Sequence, residues 1–174
     1  MTFNACTLAA VNYLQTLMRY KAWANELVFA AAAQLPEAEL SAPRKIVFGS
    51  LLRTLNHVYA MDEVWRAHLE GRPHGYATRN PEACPPLAQL GAAQAAMDEW
   101  YVRYADSGFD ENEVVDFRFI GGGPASMTRR DILLHVANHG TYHRGNVASM
   151  MYQAGTPPPT TDLPVFLKRP SPAS

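Results

Sequence analysis

Apolar residues recur at three- and four-residue steps in four separate stretches of the chain, the period that turns one face of an α-helix toward a core. The first stretch runs from Thr7 to Leu35, with Leu8, Val11, Leu14, Met18, Val28 and Ala31 in register and Pro36 just beyond. A link containing Pro43 leads to a second helix, from about Gly49 to Glu70, whose main stripe is Leu51, Leu55, Val58, Trp65 and Leu69. Gly49 or Ser50 is placed to cap it, and Gly71-Arg72-Pro73 ends it. The loop Arg72 to Pro86 precedes a third helix over Leu87 to Ser107, carrying Leu90, Ala93, Met97, Trp100 and Tyr104. From Glu113 to Ile120 the period drops to two, Val115, Phe117 and Phe119 alternating with Val114, Asp116 and Arg118, which predicts a strand. Gly121-Gly122-Gly123-Pro124 can turn the chain into a short return strand, Ala125 to Met127. The fourth helix starts near Thr128, an N-cap with Asp131 three residues on, and stops by Ala154 and Gly155. Six of the thirteen prolines lie at or after Pro157, so the tail is expected to be extended and not helical.

Four long helices and one hairpin predict an all-α fold, a four-helix bundle with a small β-hairpin before the last helix. The 174 residues, 48% of them hydrophobic, suffice for one substantial core and are expected to form a single domain over 1–174. No internal repeat interrupts this pattern.

Charge narrows the function classes. Fifteen Lys+Arg against sixteen Asp+Glu give a net charge of −1, which offers no global basic field for nucleic-acid phosphates. The longest uninterrupted apolar run, Leu27 to Ala33, is far too short to span a bilayer. No Lys or Arg precedes Arg19, which argues against a secretory signal, so the expectation is a soluble cytoplasmic protein that binds neither nucleic acid nor membrane. Cys6 and Cys84 form no CxxC, and neither has a neighbour that would activate it. No GKS or GKT follows the glycine run, which excludes a phosphate loop. Trp23, Trp65 and Trp100, one on each of the first three helices, read as core or interface anchors.

The histidines carry the chemistry. His135, His139 and His143 follow one another at four-residue intervals on the fourth helix. Each such step turns a helix by about 40° and rises about 6 Å, so neighbouring members share a face. Ile132, Val136, His139, His143, Val147 and Met150 form one inward stripe, which puts two imidazoles among core positions. One buried histidine is ordinarily satisfied by a carbonyl or hydroxyl. Two stacked on one apolar stripe would each need a separate partner, whereas one divalent cation satisfies both through neutral nitrogens. Spacing alone leaves His135/His139 and His139/His143 equally open. A third ligand must come from another helix, and His57, on the flank of the second helix with Met61 and Val64, is the best candidate. His68 near that helix's end and His74 in a loop are expected to face solvent. Three histidines without a carboxylate leave open positions, the arrangement of a catalytic zinc site, and the absence of HExxH removes the metalloprotease reading.

The segment His135-Val-Ala-Asn-His139-Gly-Thr-Tyr-His143-Arg-Gly-Asn146 resembles the fourth-helix signature of the DinB (damage-inducible) family, within the larger DinB/YfiT-like superfamily of metal-binding proteins. Asn56-His57 with Asp62-Glu63-Val64-Trp65, Tyr20, Trp23 and Asn25, and the run Thr161 to Leu167 support the likeness, which covers nearly the whole chain. Family members usually carry Gln where this chain has Asn146. The resemblance implies an up-down-down-up bundle with a long crossover, often a homodimer. It also implies a divalent metal, zinc or nickel, held by His57, His139 and His143, with His135 left as a neighbouring polar group. Some members of the superfamily transfer groups to or from low-molecular-weight thiols such as mycothiol or bacillithiol.

Two classes of function follow: a metal-dependent enzyme acting on a small thiol or its conjugate, or a non-catalytic metal-binding stress-response protein. A metal-dependent hydrolase is the further alternative. An exchangeable metal position facing a cavity separates the enzyme from the binder. Asp131, Asp62 and Glu63 are at best positioned behind the ligands, and Arg144 either holds a substrate carboxylate or pairs on the surface. Tyr13, Tyr20, Trp23 and Phe29 lie off the main stripe of the first helix, and this wide apolar arc predicts a homodimer unless the hairpin and tail cover it.

Overall fold

The computed structural model describes residues 12–169. They form α1 (Tyr13–Ala32), α2 (Glu37–Ser41), α3 (Leu51–Leu69), α4 (Leu87–Asp106), β1 (Val114–Arg118), β2 (Pro124–Thr128), α5 (Arg129–Gln153) and α6 (Leu163–Leu167). The expected start of the first helix, Thr7 to Val11, and Cys6 lie outside the described residues. Helices α1, α3, α4 and α5 are the four long ones. Polar side chains set where three of them begin. Asn12 Oδ1 accepts from the amide of Leu14 at 3.0 Å, Ser50 Oγ from Arg53 at 3.3 Å, and Thr128 Oγ1 from Asp131 at 3.1 Å. Each satisfies a donor that the first helical turn leaves open.

Helices α1 and α3 each pack against both α4 and α5, so they sit diagonally across the bundle. Gln15 bonds the Ala105 carbonyl while Phe29 packs on Gly91, so α1 and α4 run antiparallel. Leu69 and Arg129 meet at one end of α3, and His57 meets His143 further along, so α3 and α5 are antiparallel. The order is up-down-down-up. The long 70–86 loop is the crossover that makes α3 and α4 parallel. No helix among the described residues is long and apolar enough to cross a membrane.

The core is layered. One apolar cluster gathers Leu14, Met18, Trp65, Leu69, Tyr101, Ile132 and Val136, with Val115 and Phe117 of the hairpin. Another holds Val28, Ala32, Leu51, Leu55, Leu90, Val147 and Met150 at the opposite end. Each such side chain contributes about 1.5–3 kcal/mol on burial. Between the two clusters lies a buried polar layer containing Lys21, Asn25, His57, Asp62, Gln94, Asp98, His143 and Arg144. Strands β1 and β2 pair antiparallel with Phe117 opposite Ala125, and Gly121, at φ 72°, lets the chain reverse. The alternation holds for Val115 and Phe117, which are buried, and ends at Phe119, which is exposed.

Two expectations need correction. The link before α3 contains a helix, α2, which buries Leu40. The tail is not wholly extended, since Leu163–Leu167 is helical with a proline in its first turn, where no amide partner is required. Phe166 of α6 packs on Tyr20 and Trp23, with ring centroids 5.9 and 5.5 Å apart, and the Tyr20 hydroxyl donates to the Thr161 carbonyl at 2.8 Å. The tail therefore covers part of the apolar arc of α1, leaving Tyr13 exposed and Phe29 half-buried.

Candidate metal centre

His57 lies in the middle of α3, and His139 and His143 are one turn apart on α5, across the antiparallel helix pair. One ligating atom from each falls within 4.8 Å of the others. His57 Nε2 and His139 Nε2 are 3.1 Å apart. His57 Nδ1 donates to the Arg79 carbonyl at 2.6 Å, which fixes the tautomer and leaves Nε2 with a lone pair facing the other two rings. Phe48 stacks on the His57 ring at 3.9 Å between centroids, holding its plane.

The electrostatics favour neutral rings. Burial, with His143, His57 and His135 nearby, holds His139 down at about 3. Burial first and His57 second hold His143 at about 4. His57 is also lowered by burial, against the pull of its Arg79 hydrogen bond. Metal ligation requires neutral imidazole, so this set is in the competent form at neutral pH. Two nitrogens each about 2.0–2.1 Å from a tetrahedral zinc would lie roughly 3.3 Å apart, close to the observed His57–His139 spacing. The donor set fits a divalent ion and could hold one.

A cavity of about 530 Å³ opens in front of the three histidines, walled by Phe48, Met61, Trp65, Phe117 and Phe119, with Arg79 and Asn80 from the crossover loop. Among the described residues no aspartate, glutamate or cysteine joins the trio or lines the cavity. His135 also faces this cavity, its ring 4.8 Å from Trp65 and 5.6 Å from His139. It is not part of the cluster. His68 is a correction: expected to face solvent, it is half-buried in the cavity wall beside Trp65, because the hairpin folds over that end of α3. His74 is half-buried too, its Nδ1 accepting from the Tyr76 amide at 3.0 Å.

On the far side of α5 and α3 the polar layer is charged. Lys21 Nζ donates to Asp62 Oδ2 at 2.7 Å and also to Asp98. Gln94 Nε2 donates to both aspartates at 2.9 and 3.1 Å, and Asn25 Nδ2 donates to Asp98 at 2.8 Å. Arg144 donates to Asn25 Oδ1 at 3.0 Å and to Thr141 Oγ1 at 2.9 Å. Arg144 is therefore neither a substrate clamp nor a surface ion pair. Burial works against the charged form of Lys21, but Asp62 and Asp98 outweigh it and raise its pKa. Asp62 is pushed up by burial. Glu63 pairs with Arg72 at 2.6 Å, and Asp131 stays at the exposed start of α5. Lys21, Gln94 and Asp98 escaped the sequence reading because polar residues inside an apolar period look like ordinary surface positions. Cys84 is half-buried, its thiol pKa raised by burial, which suits no nucleophile.

Fold and site together define a helical bundle with convergent neutral histidines beside a mid-bundle cavity. The chain belongs to the DinB family, whose model matches residues 7–171. It is 29% identical over 157 residues to Protein DinB of Bacillus subtilis (strain 168), covering 87% of this chain and 91% of that protein. The fold is similar to the crystal structure of a DinB-like protein from Bacillus cereus, with a TM-score of 0.67 at 19% identity over 86% of this chain and 96% of that one.

Proposed function

We propose that this protein binds a divalent metal, zinc or nickel, through His57, His139 and His143 and uses it in a transfer or isomerisation reaction of a small thiol or its conjugate. The observation that carries the reading is the cavity of about 530 Å³ in front of the trio, with no fourth side chain in the ligand cluster among the described residues. A purely structural zinc site is ordinarily closed by a fourth side chain. A divalent ion with three neutral ligands supplies unneutralised positive charge, which lowers the pKa of a thiol and favours its thiolate. The chain's own part is to hold that charge and keep the surroundings dry. His57 is oriented by the Arg79 carbonyl, and His143 lies against Asn146, whose carboxamide is 3.3 Å from His143 Nδ1. Ligation through His143 Nε2 calls for the amide oxygen of Asn146 to face Nδ1 and accept its proton. Phe48, Trp65 and Phe117 line the remaining space and exclude water from the sulfur. The proton released by the thiol goes to solvent. A hydrolytic reading is less well supplied, since the wall contains no carboxylate to serve as a base.

Metal analysis of untagged protein tests the first half. His139→Ala and His143→Ala are expected to lose stoichiometric metal, and His135→Ala to keep most of it. Loss in the His135 variant with retention in the His143 variant would overturn the ligand set. Calorimetric titration of metal-loaded protein with bacillithiol, mycothiol, glutathione and coenzyme A tests the second half. Failure of all four to bind would favour a metal-binding stress-response protein without catalysis. The homodimer stays a proposal resting on the uncovered part of α1, and a monomer mass by light scattering across concentrations would remove it.

A further inference from the structure

The charged residues around the cavity are all of one sign. Arg79 and Arg118 line it, one from the crossover loop and one from β1, and among the described residues no aspartate or glutamate does. Several surface arginines elsewhere are matched, although Arg53 and Arg169 form no ion pair among the described residues. Arg19 pairs with Asp106, Arg66 with Glu70, Arg72 with Glu63 and Arg129 with Glu113. Among the described residues, neither the Arg79 nor the Arg118 guanidinium has an ion-pair or hydrogen-bond partner. This concentration of positive charge stands out in a chain whose net charge is −1. Arg79 is anchored beside the histidines by its own backbone, whose carbonyl accepts from His57 at 2.6 Å. Asn80, the next residue, also lines the cavity, and its carboxamide oxygen is sealed from solvent without a partner. Phe48, Met61, Trp65 and Phe117 give the same cavity its apolar surface. A surface arginine is ordinarily just solvated, but two unmatched ones lining one cavity make a recognition surface for an anion, to which the Asn80 oxygen, an acceptor, adds nothing.

We propose that the cavity takes a small acid, its anionic group held at Arg79 and Arg118 and its apolar body against Phe48, Met61, Trp65 and Phe117. This deepens the metal–thiol reading and rests on it for the reacting end of the ligand. The acid end stands on the wall alone. Carboxylate and phosphate share the chemistry a guanidinium recognises, and the substrate class is an acid of either kind whose apolar portion reaches the histidines.

Calorimetry with hydrocinnamate, phenethylphosphonate and the uncharged hydrocinnamamide tests the acid end without involving a thiol. At least one of the two acids is expected to bind about tenfold or more tighter than the amide, and which binds tighter identifies the anion. The Arg79→Gln/Arg118→Gln double variant retains the Arg79 carbonyl position, and circular dichroism checks that it is folded. It should bring the acid down to the affinity of the amide and leave the amide unchanged. Equal binding of acids and amide by the native chain, or an equal loss of both in the double variant, overturns the proposal. A separate arm titrates cobalt-loaded protein with α-mercaptohydrocinnamate and follows the cobalt–thiolate charge-transfer absorption. Acid discrimination without that band would sink the thiol reading and leave the acid site standing. The band without acid discrimination would do the reverse.

Discussion

His143 and Arg144 are consecutive residues of α5, and they belong to opposite kinds of interior. His143 turns toward a cavity with His57 and His139, where three neutral rings bring one ligating atom each within 4.8 Å of the others and His57 Nε2 lies 3.1 Å from His139 Nε2. Arg144 turns the other way into a buried network in which Lys21 bridges Asp62 and Asp98 and Arg144 joins through Asn25, which donates to Asp98, two positive and two negative charges in one layer. Burying charge is costly unless it is matched and hydrogen-bonded, and the network offsets most of that cost through the Lys21 contacts to Asp62 and Asp98. The histidines meet it by staying unprotonated. One helical turn therefore presents a charge-paired layer on one side, in which Asp62 Oδ1, Gln94 Oε1 and Arg144 Nε still lack partners, and a cluster of convergent imidazoles facing a cavity on the other. The difference teaches that what faces a buried polar residue, an opposite charge or a cluster of like donors beside a cavity, separates a structural role from a ligating one.

The comparison breaks hardest at Lys21. Lys21→Met leaves two buried aspartates uncompensated, and the loss is expected to be about 3–5 kcal/mol, measured by urea unfolding. His143→Ala in the metal-free chain should cost far less, because it removes no charge. If the two variants are equally stable, Lys21 does not carry the charge balance of that layer.

Gly140 sits between the two regions and is a sharper probe. A Cβ there would meet Arg144 Nη1 at 3.1 Å and Lys21 Cε at 3.7 Å. Gly140→Ala should gain up to about 1 kcal/mol of helix propensity and lose about 1–3 kcal/mol to crowding, for a net destabilisation. Metal stoichiometry should survive, since the crowding is on the network side. A Gly140→Ala chain that is stable but metal-free would show that the two sides are not separable.

The pH dependence of stability probes the histidine side directly. The folded chain holds His139 at about 3 and His143 at about 4, whereas an unfolded histidine titrates near 6.5. Below about pH 6.5 the unfolded state therefore takes up protons that the folded site refuses. In chelator, stability should be flat above neutral pH and fall as pH drops from about 6.5 to about 4. His139→Ala should flatten part of that slope, as read from urea midpoints at neutral pH and about pH 5. An unchanged slope would mean that the histidines are not held neutral by the fold.

Much of the architecture was legible from periodicity. Leu51, Leu55, Val58, Trp65 and Leu69 form a stripe at helical spacing and are all buried, and Thr128 caps α5 as its chemistry predicts. These are local regularities, because each helix needs only its own residues to define a face and an end. The i,i+4 histidines were visible for the same reason, but choosing His139/His143 over His135/His139 required the family resemblance. Helix α6 was obscured because prolines dominate the tail, and its Phe166 has a reason to fold back only once Tyr20 and Trp23 present a surface.

Sequence by itself determined the four helices, the hairpin and which residue types could ligate a metal, since those depend on spacing along one element. Only the tertiary structure decided what stands across from each. It set His57 against His139, sealed Lys21 between Asp62 and Asp98, turned Arg144 inward and left Arg79 and Arg118 unmatched at the cavity. Those are contacts between positions far apart in the chain, and a residue's periodicity does not encode the charge or tautomer of the neighbour that packing brings to it.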